Sequence, residues 1–119
     1  MPRESVDPFV AAVKTSFQAM YGGHTEGNPN VTSVVSDRQL QRLQAALDDA
    51  RAKGAMVTAC APLPAAGNRQ LPLHIVTGAT PDMTVLQEEL FGPVLPVLPY
   101  DQLDDAIAFI HARPRPLAL

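Results

Sequence analysis

The prolines of this chain constrain its fold more than any other sequence feature. Twelve of the 119 residues are proline, which is about twice the usual frequency of roughly 5%. Proline interrupts helices and is excluded from the middle of sheets, and here most of the prolines fall between segments of regular hydrophobic spacing. We therefore expect short helices and strands separated by loops, and the sequence contains no internal repeat.

Two amphipathic helices are predicted in the first half of the chain. One spans about residues 5 to 20, with Pro8 tolerated in its first turn, and is stopped by Gly22. The other spans about residues 36 to 53; Ser36 and Gln39 form a capping box at its start, and Gly54 is the expected C-cap. Apolar residues recur at helical spacing in both: Val6, Phe9, Val10, Val13, Phe17 and Met20 in the first, and Leu40, Leu43, Leu47 and Ala50 in the second.

Three short apolar runs predict strands, and two further helices lie among them. The strands are Ala55–Cys60, Leu71–Val76 and Val94–Leu98, and Pro96 indicates an edge or a bulge in the last. Thr80 is the predicted N-cap of a short helix that ends near Glu89, with Pro81 at its first position. Asp101 is the predicted cap of a final helix, whose apolar stripe is Leu103, Ala106, Ile107 and Ile110.

The order of these elements predicts an α/β fold, with a largely parallel sheet and flanking helices. Residues 1–119 would form a single domain. Leu117–Leu119 resembles the opening of a further strand, and a helix begins within five residues of Met1. Both ends therefore look cut, and we expect the domain to be incomplete.

Composition excludes several classes of function. The chain is 46% hydrophobic and 18% charged with a net charge of −3, which is typical of globular proteins. It lacks the basic patch that nucleic-acid binding requires and the run of about 18 apolar residues that a membrane span requires. The single cysteine and the missing signal peptide favour a reducing compartment, and we expect a cytoplasmic protein.

Motifs of a self-sufficient active site are missing from the sequence. It contains neither a Gly-x-Gly-x-x-Gly fingerprint nor a Gly-x-Ser-x-Gly elbow. The three histidines, His24, His74 and His111, lack metal-ligand spacing, so no metal site is predicted. Cys60 could be a nucleophile only with a lowered pKa, and a small buried cysteine is the simpler interpretation. His74 is out of phase with the apolar residues of its strand and is expected to be half-exposed.

The segment Glu88–Pro93 differs from the rest of the chain. Two acids stand at the end of a short helix, where the helix dipole disfavours negative charge, and Phe91-Gly92-Pro93 leads into a strand. An acid and an aromatic ring at one turn could bind sugar hydroxyls and a flat heterocycle. The alternative is a pair of surface acids followed by a core phenylalanine.

Asp82–Val94 resembles the conserved Glu-Glu-(Ile/Leu)-Phe-Gly-Pro motif of the aldehyde dehydrogenase superfamily. Tyr100–Ile110 resembles the family's Leu-Asp-Glu-Ala-Ile helix, and Asn28–Leu43 resembles the region after its catalytic loop. Pro116–Leu119 is similar to a sequence of the class 3-like branch. Within that branch, the combination is most similar to bacterial coniferyl aldehyde dehydrogenases, and the resemblance covers nearly the whole chain.

The resemblance implies an NAD(P)-dependent oxidation of an aldehyde through a cysteine nucleophile. It implies that Glu89 holds the nicotinamide ribose and that Phe91 packs beside the nicotinamide end of the cofactor. The family's Gly-Gln-x-Cys-like and Glu-Leu-Gly-Gly-like segments do not occur here, and Cys60 is not the nucleophile. No catalytic residue is therefore assigned, and we expect the nucleophile and the base upstream of residue 1.

Three functional hypotheses follow. The first is a fragment of an aldehyde dehydrogenase catalytic domain that is inactive alone and binds neither NAD nor NADP by itself. The second is a stand-alone interaction or scaffold module derived from that domain, and the third is an enzyme that uses Cys60 in other chemistry. Because a cut sheet leaves apolar faces and strand edges uncovered, we also expect self-association.

Overall fold

The computed structural model describes residues 1–113. Four α-helices and three strands lie in this part of the chain: α1 (Val6–Tyr21), α2 (Asp37–Ala52), β1 (Met56–Ala59), β2 (His74–Thr77), α3 (Thr84–Gln87), β3 (Val94–Val97) and α4 (Leu103–His111). This order matches the predicted one. The strand expected at Leu117–Leu119 lies outside the described residues.

The sheet of the described residues is mixed. Its order is β1-β2-β3, with β1 antiparallel to β2 and β2 parallel to β3. The α/β class is confirmed, but only one of the two strand pairs is parallel. A parallel pair needs a crossover, usually a helix; α3 lies in the β2–β3 connection, whereas the β1–β2 connection contains no helix.

Pro96 lies in β3, opposite Val76 of β2. Since β3 is the last strand of the described sheet, its position agrees with the predicted edge strand. The start of the chain runs alongside the end of this strand. Met1 and Arg3 form backbone hydrogen bonds with Tyr100 at 2.9 and 3.1 Å, and Pro2 pairs with Tyr100 in a parallel bridge.

Two apolar clusters lie on opposite faces of the sheet. The face of α1 that contains Phe17 packs with Ile75 and Val97. The face of α2 packs with Val76 and Val94. Since successive strand residues point to opposite faces, the neighbours Ile75 and Val76 join different clusters, and the sheet is sandwiched between the two long helices.

The prediction that His74 is half-exposed is wrong, because helices cover both faces of the sheet. Its phase places it on the face opposite Ile75, as expected, but that face is covered as well. His74 is 1% exposed, and its Nδ1 lies 2.7 Å from the carbonyl oxygen of Pro72. Burial lowers the pKa of His74 below its ordinary value, because desolvation disfavours the charged ring.

Two predicted helix caps are also wrong. The short helix begins at Thr84 rather than after Thr80, and its N-cap is Met83. The N-cap of α4 is Gln102, without a side-chain capping bond. Asp101 instead accepts hydrogen bonds from Arg3 at 2.7 and 2.8 Å, and this interaction holds the pKa of Asp101 below its ordinary value.

Candidate functional site

The turn between α3 and β3, residues Glu88–Pro93, contains both residues that the sequence assigned to cofactor binding. The helix ends at Gln87, and Glu88 is already extended, with φ −127°. Phe91 has φ 47° and is the one residue other than glycine with positive φ among residues 1–113. At the end of the turn, the carbonyl of Pro93 accepts a 2.8 Å hydrogen bond from the His74 amide, which joins the turn to the sheet.

Helix α2 also fixes the position of α3. The first backbone N–H of α3, on Thr84, donates to Asp49 Oδ2 at 2.8 Å. Lys53 lies 2.8 Å from the other oxygen of this carboxylate. The hydrogen bonds from Lys53 and Thr84, in that order, hold the pKa of Asp49 below its ordinary value. The carboxylate thus satisfies one of the unpaired N–H groups at a helix start.

A second set of contacts from α2 holds the turn itself. The guanidinium Nη2 of Arg42 donates to the carbonyls of Glu89 and Leu90, each at 2.8 Å. The amide of Gln39 donates to the same Leu90 carbonyl at 2.7 Å. The other terminal nitrogen of Arg42 donates to Glu88 Oε2 at 2.7 Å, so the turn is tied to α2 through both backbone and side chain.

The two neighbouring acids have different surroundings. Glu88 forms the ion pair with Arg42. Glu89 is exposed, and only its backbone carbonyl contacts Arg42; the described residues provide no hydrogen-bond partner for its carboxylate. Glu89 can therefore accept hydrogen bonds from an external ligand.

Phe91 is not a core residue. It is 73% exposed, which excludes the interpretation of this segment as surface acids followed by a core phenylalanine. Its ring lines an open groove of about 870 Å³ between α1, residues 30–35 and the turn. Met20 and Val35, which are 67% and 81% exposed, line the same groove. The turn therefore presents an accessible carboxylate and an accessible ring two residues apart.

Gly92 is required where the turn crosses α2. A Cβ at this position would overlap Cδ1 of Leu43 and lie 3.0 Å from its Cδ2. Leu43 is fully buried in the α2 cluster, and the close packing of protein cores restricts its movement. The glycine of the motif thus allows the backbone to approach the helix closely.

Cys60 does not have the surroundings of a nucleophile. It is 2% exposed and packs with Phe17, Ile75 and Val97. Burial raises the pKa of its thiol, although the charge of Lys14 opposes this to a lesser extent. A reactive cysteine needs the opposite shift and access to solvent, so the small-core-residue interpretation is favoured.

The contacts of Gln39 and Arg42 with the turn were not predicted from the sequence. Gln39 was expected to complete a capping box with Ser36. Its backbone N–H does donate to Ser36 Oγ, at 3.2 Å, but its side chain reaches the turn instead of the helix start. The available signal was the spacing of two polar residues three positions apart, which places them on one helix face.

Two absences can be reported for residues 1–113. These residues bring no three His, Cys, Asp or Glu side chains together in a group that could hold a metal ion. Within the same range, no helix has the length and apolarity needed to cross a membrane.

Comparison with known proteins identifies the family. The model described as "Aldehyde dehydrogenase family" matches residues 1–116, which is nearly the whole chain. The chain belongs to this family. A curated relative named probable coniferyl aldehyde dehydrogenase, from Pseudomonas aeruginosa, is 45% identical over 120 residues, covering 100% of the chain and 24% of that protein.

Solved structures share the fold. The substrate-bound state of Staphylococcus aureus AldH superposes with a TM-score of 0.83 at 30% identity, over 98% of this chain and 24% of that one. The NADP-dependent glyceraldehyde-3-phosphate dehydrogenase of Bacillus halodurans C-125, complexed with NADP, superposes with a TM-score of 0.76 at 28% identity. This match covers 93% of this chain and 23% of that one. The chain thus spans about a quarter of the length of these proteins.

Proposed function

We propose that this chain is part of an NAD(P)-dependent aldehyde dehydrogenase that oxidises an aldehyde to the acid, and that it forms one wall of the cofactor site. Coniferyl aldehyde is the candidate substrate, because the Pseudomonas aeruginosa relative is named for it. The observation that carries the proposal is the turn between α3 and β3, which exposes both Glu89 and Phe91, two residues apart in the chain.

The chemistry of the turn fits the nicotinamide end of NAD or NADP. A carboxylate accepts hydrogen bonds from sugar hydroxyls, and Glu89 has its carboxylate available. An exposed aromatic ring packs against a flat heterocycle, and Phe91 provides one. When bound, the cofactor accepts the hydride; the two residues would orient its ribose and its ring.

We further propose that residues 1–119 form one incomplete domain that catalyses no aldehyde oxidation and does not retain NAD(P) alone. The sequence lacks the family's nucleophile and base motifs, and Cys60 is buried with a raised pKa. A cytoplasmic location is part of the same proposal, since Cys60 is a free thiol and free thiols are typical of reducing compartments.

A chimaera tests the proposed site. The matching quarter of the Pseudomonas aeruginosa relative would be replaced by residues 1–119, and NAD(P)-dependent oxidation of coniferyl aldehyde would be measured. Because hydrogen bonds to a charged group contribute about 1.5–3 kcal/mol, we expect Glu89→Gln to raise the KM for the cofactor about tenfold or more. Phe91→Ala should raise it as well.

Glu4→Gln is the matched control, because Glu4 is an exposed acid outside the turn. An active chimaera whose cofactor KM is the same in Glu89→Gln, Phe91→Ala and Glu4→Gln would reject the assigned roles. Turnover by the isolated chain would overturn its proposed inactivity. If that turnover disappeared in Cys60→Ala, the third hypothesis, in which Cys60 is a nucleophile, would replace the proposal of an inactive fragment.

Self-association is a separate proposal, and it also bears on the alternative role as an interaction module. Among the described residues, α4 has no buried residue, and Leu103, Ile107 and Ile110 are 61%, 42% and 45% exposed. Their spacing places them on one helix face. Exposed apolar patches of this kind mark interaction surfaces, and we propose a second copy of this chain as the partner.

A further inference from the structure

We propose that Arg42, assisted by Gln39, is a positioning residue of the cofactor wall. It acts through the backbone carbonyls of Glu89 and Leu90, and so holds Phe91 in its positive-φ conformation beside the exposed Glu89. The inference deepens the proposed function and rests on it for the identity of the ligand. The conformational claim can be tested without any cofactor.

The conformation of Phe91 needs an external constraint. A phenylalanine with φ 47° occupies the left-handed region, which side chains other than glycine rarely adopt and which persists only when the surroundings fix it. Phe91 itself has little packing to fix it, since its side chain is 73% exposed. The constraint must therefore come from the neighbouring peptide groups.

The peptide group before Phe91 is the one that α2 holds. Its oxygen, on Leu90, accepts from Arg42 Nη2 at 2.8 Å and from Gln39 Nε2 at 2.7 Å. The preceding carbonyl, on Glu89, accepts from the same Arg42 nitrogen at 2.8 Å. Two successive carbonyls are thus directed towards α2. Fixing the Leu90–Phe91 peptide plane on one side, while Gly92 packs on Leu43 on the other, leaves Phe91 little freedom of rotation.

The donors are themselves arranged for this task. Arg42 Nε donates to Gln39 Oε1 at 3.1 Å, which orients the amide so that its nitrogen faces Leu90. A guanidinium presents several donors in a fixed plane, and Arg42 uses three of its nitrogens on Gln39, Glu88 and the two carbonyls. A lysine would offer a single ammonium group and could not make all of these contacts.

The ion pair with Glu88 is a competing explanation. Its side chains are 34% and 51% exposed, and exposed ion pairs contribute little because water and salt screen them. We therefore assign the positioning to the carbonyl contacts. This assignment predicts that Glu88 can lose its charge without a change in the conformation of Phe91.

NMR of the 119-residue chain tests the proposal. A residue with positive φ has a short distance between its amide proton and its own Hα, so Phe91 should give a strong intraresidue cross-peak. We expect this peak to weaken to the intensity of extended residues in Arg42→Met, and to recover only partly in Arg42→Lys. It should be unchanged in Glu88→Gln.

Arg51→Met is the matched control, because Arg51 is also on α2 but pairs with Asp48. Unfolding curves identify which variants remain folded, and the cross-peak is compared only among those. A strong Phe91 peak in folded Arg42→Met would overturn the proposal, as would an equal loss in Glu88→Gln. If Arg42→Met does not fold, Gln39→Leu is tested in its place. An unchanged Phe91 peak in Gln39→Leu would also overturn the proposal. Failure here leaves the chimaera result untouched, so the two proposals fail separately.

Discussion

Single residues of the turn show how closely the motif is fitted to α2. Gly92 lies against Leu43, and Phe91 adopts a conformation that is unusual for its residue type. The sequence placed both residues in a turn. It contained no information on which helix they would contact, because the partner residues lie about fifty positions earlier in the chain.

Gly92→Ala should destabilise the protein by about 1–3 kcal/mol, the usual effect of overpacking a core. The added methyl group would overlap Leu43. The free energy of unfolding from denaturant titration measures this effect. The double variant Gly92→Ala/Leu43→Ala should lose less than the sum of the single changes, because removing Leu43 makes room for the methyl group. Strict additivity would contradict the proposed contact.

The buried imidazole of His74 should make stability depend on pH. Burial places its folded pKa below the unfolded value of about 6.5. Between these two values the unfolded chain binds more protons than the folded one, so stability rises with pH. The stabilisation is fully present above the unfolded pKa and is lost as the pH falls through the folded pKa.

We therefore expect the free energy of unfolding to decrease from about pH 7.5 to pH 5. The decrease should be smaller in His74→Asn, which cannot titrate but retains a donor for the Pro72 carbonyl. His111→Asn is the control, because His111 lies on the exposed end of α4. Equal pH slopes in the two variants would show that His74 is not the source.

At the scale of elements, all four helices were predicted, but only the two long ones had predictable ends. Residues 5–20 and 36–53 were expected to be helical, and α1 and α2 differ from these ranges by about one residue at each end. A segment of sixteen residues contains enough regularly spaced apolar residues to identify a helix from the sequence. The four residues of α3 contain too little periodicity, and Asp49 from another helix decides where α3 begins.

Ser36→Ala should destabilise α2, and through it the turn. Ser36 accepts the N–H of Gln39 at 3.2 Å, and loss of such a cap costs about 1 kcal/mol. Denaturant unfolding measures this change. Ser16→Ala on the exposed side of α1 is the control and should change stability little or increase it, since alanine is the better helix former. A loss in Ser36→Ala no greater than in Ser16→Ala would exclude a capping role.

For the whole molecule, the uncovered faces lead to a prediction about assembly. Sedimentation velocity should show a weight-average mass that increases with concentration. Ile107→Lys on α4 should shift the distribution towards the monomer, because a charge in an apolar interface is costly to desolvate. Gln41→Lys, at an exposed position of α2, adds the same charge elsewhere and should not. A folded monomer at every concentration would contradict self-association.

Much of this architecture was determined by the sequence alone. Apolar periodicity, proline and glycine set the number, type and order of the elements, because these are local properties of backbone and side chain. The Glu88–Pro93 motif indicated the family, which the comparison over residues 1–116 confirmed. The roles of Glu89 and Phe91 in cofactor binding remain proposals.

Tertiary structure decided what depends on residues far apart in sequence. His74 is buried because helices cover both faces of the sheet. β1 and β2 are antiparallel, and the connection between them contains no helix. The hydrogen bonds from Gln39 and Arg42 to Leu90 join residues that are 51 and 48 positions apart, respectively. Local patterns cannot specify such contacts, because they form only when packing brings α2 against the turn.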